Sequence, residues 1–293
     1  LACATPLADR GHQVDLFDAA SEIGGQFNMA KQVPGKEEFH ETLRYYRNHL
    51  HDTGVTLHLD TRVDASQLIA GQYDDIVLAT GVRPRDPDIP GQAEQAATGK
   101  VLSYIDVLLH HKPVGERVAV VGAGGIGFDI SEFLVQEGPS PALEPAHWNA
   151  EWGVTDPAQH RGGVTRPTLT PPARSVTLLQ RKAESLGKRL GKTTGWIHRA
   201  TLKMKRVEMI GGVNYEAIDE RGLLISFGEK REKATLLEVD TIVLCAGQVS
   251  ERALQAPLEA ADQNVHLIGG ADFAGELDAK RAIHQGTVLG ATL

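Results

Sequence analysis

Short apolar runs that end in glycine, in charge or in a helical pattern recur along the chain. QVDLFD, RVAVVGAGGIG and SVTLLQRK are three of them. Two further runs, YDDIVLATG and VDTIVLCAG, resemble each other: acidic residues, a mainly apolar stretch, then a small residue and glycine. The alternation favours parallel α/β units. The repeated ending suggests two related nucleotide-binding domains.

The first residues have the pattern of a helix followed by a strand. We predict a helix over residues 1–10, ended by Gly11, and a strand over residues 14–17 that leads to Asp18. An acid at the end of such a strand is typical of a dinucleotide site, where it binds a ribose hydroxyl. A plain surface aspartate is the alternative. A strand and a glycine loop normally precede this helix, so the pattern indicates the second half of a nucleotide-binding unit.

The strongest local signal lies in RVAVVGAGGIGFDISEFLVQEG. A predicted strand over residues 117–121 leads into the glycines Gly122, Gly124 and Gly127, and a helix follows. The first glycine permits a tight turn, the second lets the backbone approach a pyrophosphate, and the third lets the helix pack on the strand. The helix N-terminus then favours the phosphate. We predict a dinucleotide site here, with a glycine turn that binds no ligand as the alternative.

The next predicted strand bears on which nicotinamide cofactor binds. SVTLLQRK ends at Arg181 and Lys182, where an NAD site usually has an acid for the ribose 2′-hydroxyl. Two cations suit a 2′-phosphate and predict NADP; solvated cations without a ligand are the alternative. This strand follows the glycine loop by far more than the usual spacing of about 20 residues. The reason is an intervening stretch over residues 138–174.

The stretch over residues 138–174 is rich in proline, holds Trp148 and Trp152, and lacks a clear period. We predict a long inserted loop, either a solvated excursion or a docking or lid loop. GKRLGKTTGW follows further on but is no P-loop, because three residues rather than four separate Gly187 from Gly191. A flexible basic loop near the nucleotide is the prediction for that motif.

Composition limits the classes of protein that remain. With 293 residues, 41% of them hydrophobic and 23% charged, the chain is predicted to be soluble and globular, with room for two domains. The sequence contains no run of eighteen apolar residues, so no membrane span is predicted. A formal net charge of -8 disfavours a nucleic-acid binder. Cys3 and Cys245 lie too far apart in sequence for a metal motif, and the histidines show no ligand spacing. We predict no metal site and a reducing, cytoplasmic compartment.

Two glycine-containing segments predict a flavin domain that is split in sequence. After Asp18, Gly24 and Gly25 in SEIGGQF allow close approach, and Gln26 can bind ribose or pyrophosphate. Near the end, VHLIGGADFAGELDAKRAIHQG predicts a strand, a turn with Asp272 and a helix. The acid is expected to reach the ribityl or pyrophosphate region, with a helix N-cap as the alternative. The predicted domains are 1–98 and 251–293 for FAD, and 99–250 for NADP.

These motifs together carry a family resemblance. Asp18, GGQ, the ATG of residues 79–81, GAGGIG, the CAG that ends at Gly247, and GGAD resemble the two-dinucleotide-domain flavoprotein reductases. More closely, FDAASEIGGQFNMAKQVPGKEEF, GKTTGWIHR and VHLIGGADFAGELDAKRAI resemble the C-terminal region of the bacterial NADPH-dependent 2,4-dienoyl-CoA reductases, over essentially the whole chain. The resemblance implies an α/β chain with two Rossmann-like domains of the glutathione-reductase type. The NADP domain is inserted in a split, N-terminally truncated FAD domain.

The resemblance also implies roles for particular residues. Lys36, by itself a solvated charge at a helix start, becomes an expected FAD contact, as do Asp18 and Gln26, and Val63 is expected to contact the adenine through its backbone. The remaining expected cofactor-binding residues are Gly25, Ala79, Thr80, Gly81, Gly122, Gly124, Gly127, Arg181, Lys182, Gly247 and Asp272. No catalytic residue is assigned, because the family's proton donor and substrate pocket lie in a barrel domain outside this sequence.

The activity that the resemblance implies is electron input. Hydride passes from NADPH to FAD, and electrons pass singly through a 4Fe-4S cluster to FMN, which reduces 2,4-dienoyl-CoA in fatty-acid β-oxidation. The FMN barrel and the cluster belong to an N-terminal part, so the chain is expected to be less than half of the enzyme, cut just after the FAD glycine loop.

Three alternatives have different sequence requirements. A thioredoxin or glutathione reductase needs a redox-active cysteine pair, which Cys3 and Cys245 do not make. The related amine dehydrogenases use the corresponding domains as a structural ADP-binding module, against which the intact GAGGIG and the Gln-Arg-Lys ending argue. A non-catalytic nucleotide-binding or interaction fragment is the third.

Overall fold

The computed structural model describes residues 1–275 and 278–293, which form two compact units. The split unit consists of Leu1–Phe27, Phe39–Arg85 and Gln248–Leu293. The central unit consists of Asn28–Glu38 and Asp86–Gly247.

The α-helices are α1 (Ala4–Asp9), α2 (Phe27–Ala30), α3 (Phe39–Asp52), α4 (Ala65–Ala70), α5 (Gln92–Ala97), α6 (Tyr104–Leu108), α7 (Gly125–Val135), α8 (Pro145–Trp152), α9 (Gly195–Met204), α10 (Gln255–Glu259) and α11 (Ala279–Thr292). The β-strands are β1 (Asp15–Phe17), β2 (Thr56–His58), β3 (Ile76–Leu78), β4 (Val82–Pro84), β5 (Val101–Ser103), β6 (Arg117–Val121), β7 (Ser175–Gln180), β8 (Glu208–Gly211), β9 (Val213–Ile218), β10 (Gly222–Phe227), β11 (Glu232–Glu238), β12 (Thr241–Leu244), β13 (Gln248–Ser250) and β14 (Val265–Leu267).

The split unit is built from short strand pairs and the helices that cover them. β1 pairs in parallel with β2, β3 pairs in parallel with β14, and β4 pairs antiparallel with β13. Helix α1 packs closely on α11, where a Cβ on Gly290 would overlap the carbonyl of Cys3. Buried Tyr46 and Leu50 of α3 belong to the core beside α1. Asp18 follows the carboxyl end of β1, and the ATG motif follows the carboxyl end of β3; both strands have parallel partners.

The central unit contains a five-stranded parallel sheet in the order β5-β12-β6-β7-β8 and an antiparallel sheet in the order β11-β10-β9. Residues 118–121 of β6 are fully buried, as expected for a parallel strand covered on both faces. Phe128 and Ile130 of α7 and Leu202 of α9 belong to one core cluster of this unit. Residues of the antiparallel sheet, such as Leu223, belong to a second cluster. Strand β6 therefore lies between two apolar clusters, with Val118 and Val120 in the first and Ala119 and Val121 in the second.

The stretch over residues 138–174 differs from the predicted loop because it contains helix α8, which begins with proline at its first position. Proline is tolerated there because the first N–H of a helix has no partner within the helix. In addition, Val154 and Val164 form an isolated antiparallel bridge. Counting the prolines as breakers of regular structure was therefore misleading for α8.

A buried ion pair attaches the 138–174 stretch to α9. Lys205 Nζ lies 2.9 Å from Glu151 Oε1 and donates to Thr170 Oγ1 at 2.6 Å. Lys205 is 3% exposed and Glu151 is 8% exposed. Trp152 stacks on Trp148 with ring centroids 5.9 Å apart and meets Trp196 of α9 edge-on at 6.4 Å. The stretch is therefore tied to α9 by both charge and aromatic packing.

Among the described residues, no helix has both the length and the apolar character needed to cross a bilayer. Within the same residues, no group of three or more histidine, cysteine or acidic side chains is arranged to hold a metal ion.

Candidate dinucleotide-binding sites

The glycine loop between β6 and α7 is shaped by close backbone contacts. Gly122 has a φ of 113°, and a Cβ there would overlap the carbonyl of Cys245 beyond β12. A Cβ on Gly127 would overlap the carbonyl of Gly122, so the start of α7 lies directly against the end of β6. Gly124 differs, because nothing lies within 4 Å of where its Cβ would be. Two glycines are therefore required by packing, while the third borders open space.

The start of α7 has the character of an anion site. Its N-cap is Gly124, which has no side chain to cap the first N–H groups, and its first turn contains no acidic residue. Unpaired N–H groups at a helix N-terminus attract phosphate. The open backbone at Gly124 adds room for close approach. These features fit the pyrophosphate of a nicotinamide dinucleotide.

Arg181 and Lys182 follow β7 and are both exposed. The Lys182 carbonyl accepts hydrogen bonds from Gln180 Nε2 at 2.9 Å and from Gly212 N at 3.1 Å, which hold the backbone. Within residues 1–275 and 278–293, neither cation forms a salt bridge. Burial raises the pKa of Tyr215, and the Arg181 guanidinium opposes this increase. The end of β7 thus presents two positive charges that are available to an anionic ligand.

Lys36 has an unexpected partner within the central unit. Its Nζ lies 2.7 Å from both carboxylate oxygens of Asp129, which is on α7. The role of Lys36 as an FAD contact stays a prediction, and its ammonium is here bound to a carboxylate. Sequence reasoning did not find Asp129, because no local spacing connects residues 93 positions apart.

The turn after β1 combines an acid with a glycine of positive φ. Asp18 is half-buried, its N–H donates to the His58 carbonyl at 2.9 Å, and its Oδ1 accepts from Ala20 N at 2.9 Å. Gly25 has a φ of 49° and open space where a Cβ would lie. Gln26 Oε1 is 3.5 Å from the Gln248 side-chain amide, a long contact. This turn therefore offers carboxylate and amide groups beside a backbone that a ligand can approach.

Val63 and the ATG motif lie elsewhere in the split unit. The Val63 side chain packs on the cluster around Leu68, while its N–H and carbonyl have no main-chain hydrogen bond to the described part of the chain. Such a backbone suits the expected contact with adenine. Ala79 follows β3 and precedes Thr80, whose hydroxyl donates to the Glu251 carbonyl at 2.6 Å. Gly81, with a φ of 75°, accepts from Glu251 N at 3.0 Å, so this motif joins β4 to β13.

Asp272 is held by a glutamine that sequence reasoning missed. Its Oδ2 accepts from Gln285 Nε2 at 2.8 Å, and Gln285 Oε1 accepts from Gly269 N at 2.8 Å. The N-cap of α11 is Asp278, whose Oδ1 accepts from Arg281 N at 2.7 Å. The alternative of Asp272 as the N-cap was therefore wrong. In the central unit, Gly247 follows β12 with a φ of 104°.

Two Rossmann-like dinucleotide domains in an α/β chain define a flavoprotein oxidoreductase with FAD- and NAD(P)-binding regions, and this predicted fold class is confirmed. The sequence profile of the family described as pyridine nucleotide-disulphide oxidoreductase matches residues 1–270. The chain belongs to that family.

Three similar proteins show where such a chain occurs. A metal reductase of Desulforamulus reducens is 26% identical over 280 residues, which are 94% of this chain and 40% of the reductase. A 2-naphthoyl-CoA reductase in complex with 2-naphthoyl-CoA has a TM-score of 0.78 at 23% identity, over 100% of this chain and 38% of that one. Histamine dehydrogenase from Rhizobium sp. 4-9 has a TM-score of 0.71 at 17% identity, over 100% of this chain and 42% of that one. The chain spans about two fifths of each.

Proposed function

We propose that this chain is the NADPH:FAD electron-input module of a 2,4-dienoyl-CoA reductase. The observation that carries the proposal is the uncapped, open glycine loop at Gly124, together with two cations at the end of β7 that form no salt bridge with the described residues. We assign residues 99–250 to NADP, and residues 1–98 and 251–293 to FAD. These limits lie close to the central and split units, except that residues 28–38 and 86–98 belong to the central unit and residues 248–250 to the split unit.

The chain's own residues bind and orient the cofactors. The loop of Gly122, Gly124 and Gly127 holds the nicotinamide pyrophosphate, and Arg181 and Lys182 bind the 2′-phosphate. When bound, NADPH and FAD supply hydride transfer, and the flavin then releases its electrons one at a time.

A second set of residues holds the flavin. Asp18 and Gln26 bind ribose and pyrophosphate, Val63 binds the adenine through its backbone, and Asp272 reaches the ribityl region. Gly25, Ala79, Thr80 and Gly81 provide close backbone approach, and Lys36 is an additional contact. Gly247 is a cofactor-binding glycine of the segment assigned to NADP. FMN and a 4Fe-4S cluster, expected in another part of the full-length protein, would supply the onward electron transfer to the dienoyl-CoA.

The electron-input role is tested by mixing the flavin-loaded, full-length protein anaerobically with NADPH and, separately, with NADH. Fast loss of oxidised flavin absorbance with NADPH alone supports the proposal. No loss with either cofactor contradicts it and favours a structural nucleotide-binding module.

The substrate requires a separate assay, because the similar proteins named above include a metal reductase and a 2-naphthoyl-CoA reductase. We expect NADPH oxidation by the full-length protein to be stimulated by 2,4-dienoyl-CoA. Stimulation by 2-naphthoyl-CoA or by metal ions, and not by dienoyl-CoA, would leave the electron-input role intact and reject the substrate.

A further inference from the structure

A buried carboxylate on the phosphate-binding helix is paired with a histidine from the GKTTGWIHR motif. Glu132 lies on α7 and is 7% exposed. Its Oε1 lies 2.8 Å from Nδ1 of His198 on α9, and the histidine side chain is 28% exposed. Neither residue belongs to the cofactor contacts assigned above.

The surroundings of this pair make its charge state important. The charged groups that act on it are Asp129, from the same face of α7, and Lys36, from the segment 28–38. Lys36 is already bound by both oxygens of Asp129. With Glu132 ionised, two carboxylates face one ammonium, so the cluster is neutral only if the Glu132–His198 pair holds a proton. An uncompensated charge in a buried cluster is unfavourable.

The pair links helix α7, which follows the glycine loop, to helix α9. Helix α7 starts at Gly125, so its 11 residues extend about 16 Å from the loop at a rise of about 1.5 Å per residue. Helix α9 packs against α7, with Leu202 fully buried in their common core. Arg199 of α9 also donates to the Gly187 carbonyl at 2.9 Å. Glu132, which contacts α9, and the loop at the start of α7 therefore belong to one continuous helix.

We propose that Glu132 and His198 are positioning residues for the NADP-binding helix, and that the proton they share makes nucleotide affinity depend on pH. The proposal rests on the proposed function, because it requires the loop at Gly122–Gly127 to bind NADP.

The direction of the pH dependence follows from the two groups. Burial raises the pKa of Glu132, and the hydrogen bond that His198 donates to the Glu132 carboxylate raises the pKa of His198. Both changes favour the protonated pair in the folded protein. The stabilisation is complete below the ordinary histidine pKa of about 6.5 and is lost as the pH rises through the higher pKa of the folded state. Affinity for the nucleotide therefore falls above neutral pH.

The test compares Glu132→Gln and His198→Gln with the native protein. Both replacements keep a hydrogen-bonding side chain, and each removes one of the two groups that share the proton. The matched control is His58→Gln, because His58 Nε2 also lies 2.8 Å from a carboxylate, that of Asp15, in the split unit. The dissociation constant for NADP⁺ is measured by calorimetry from about pH 6 to about pH 9, and thermal unfolding is followed at each pH. At each pH, the dissociation constant of the native protein is divided by that of the variant. This ratio cancels the effect of the titration of the ligand phosphate.

We expect the dissociation constant of the native protein to rise about fivefold more over this range than that of either variant. His58→Gln retains the native profile. If the native protein binds and all four profiles are parallel, the inference is wrong and the proposed function stands. A variant that lowers the unfolding temperature equally at every pH, with a native binding profile, also contradicts the inference. If the native protein does not bind NADP⁺ at all, both proposals fail.

Discussion

The preference for NADPH over NADH depends on two exposed cations whose removal has a calculable effect. In the variant Arg181→Ala/Lys182→Ala, the 2′-phosphate loses two charge-assisted contacts. Because both side chains are exposed, each contact contributes about 1 to 1.5 kcal/mol, less than a desolvated pair would. The double variant then loses about 2 to 3 kcal/mol, and at about 1.36 kcal/mol per factor of ten the KM for NADPH rises about 30- to 150-fold.

The assay is steady-state flavin reduction with NADPH and with NADH, at low and at high salt. NADH has no 2′-phosphate, so its KM should stay nearly constant, and the NADPH effect should shrink as salt screens the exposed charges. A matched control is Arg166→Ala/Lys230→Ala, which removes two exposed cations from the same unit. Equal effects of the Arg181/Lys182 change on both cofactors, or an equal effect of the control, would refute the assignment.

Two further predictions concern the glycine loop and the buried ion pair. Gly127→Ala should lower the free energy of unfolding by about 1 to 3 kcal/mol in thermal unfolding, because its methyl group meets backbone. Gly124→Ala should leave stability nearly unchanged and weaken NADP⁺ binding in calorimetry. Equal losses of stability would show that Gly124 is also required by packing. In denaturant unfolding, Glu151→Gln should cost about 3 to 5 kcal/mol, because it leaves Lys205 charged and buried. The exposed control Glu238→Gln should cost far less, because solvent screens its pair with Arg221. Similar values for the two would mean that the Glu151 ion pair contributes no more than a surface pair.

The elements that sequence reasoning found are those whose signal is local. The strand over residues 117–121 has the predicted limits, because a run buried on both faces leaves an unbroken apolar pattern. The glycines of the loop at Gly122 and Gly127 could likewise be predicted, because a tight turn and a close helix contact exclude a side chain at fixed spacing. The fold class follows from two such units.

The features that sequence reasoning missed are contacts between residues far apart in the chain. Lys36 with Asp129, and Glu132 with His198, are pairs that no periodicity connects. Helix α8 was missed for a different reason, because the prolines around it indicated a loop and its tryptophans, which pack on each other and on Trp196, form no aliphatic stripe. Each of these requires the three-dimensional arrangement of the central unit.

The tryptophan cluster gives the protein an internal optical reporter. All three tryptophans of the sequence, Trp148, Trp152 and Trp196, lie in this one group of stacked and edge-on rings. Indole emission therefore samples the join between α8 and α9 and nothing else in the molecule, whereas circular dichroism averages over every helix. Where the indole signal changes at a lower denaturant concentration than the circular dichroism, the 138–174 stretch separates before the central unit unfolds. The Glu151→Gln variant should widen that difference.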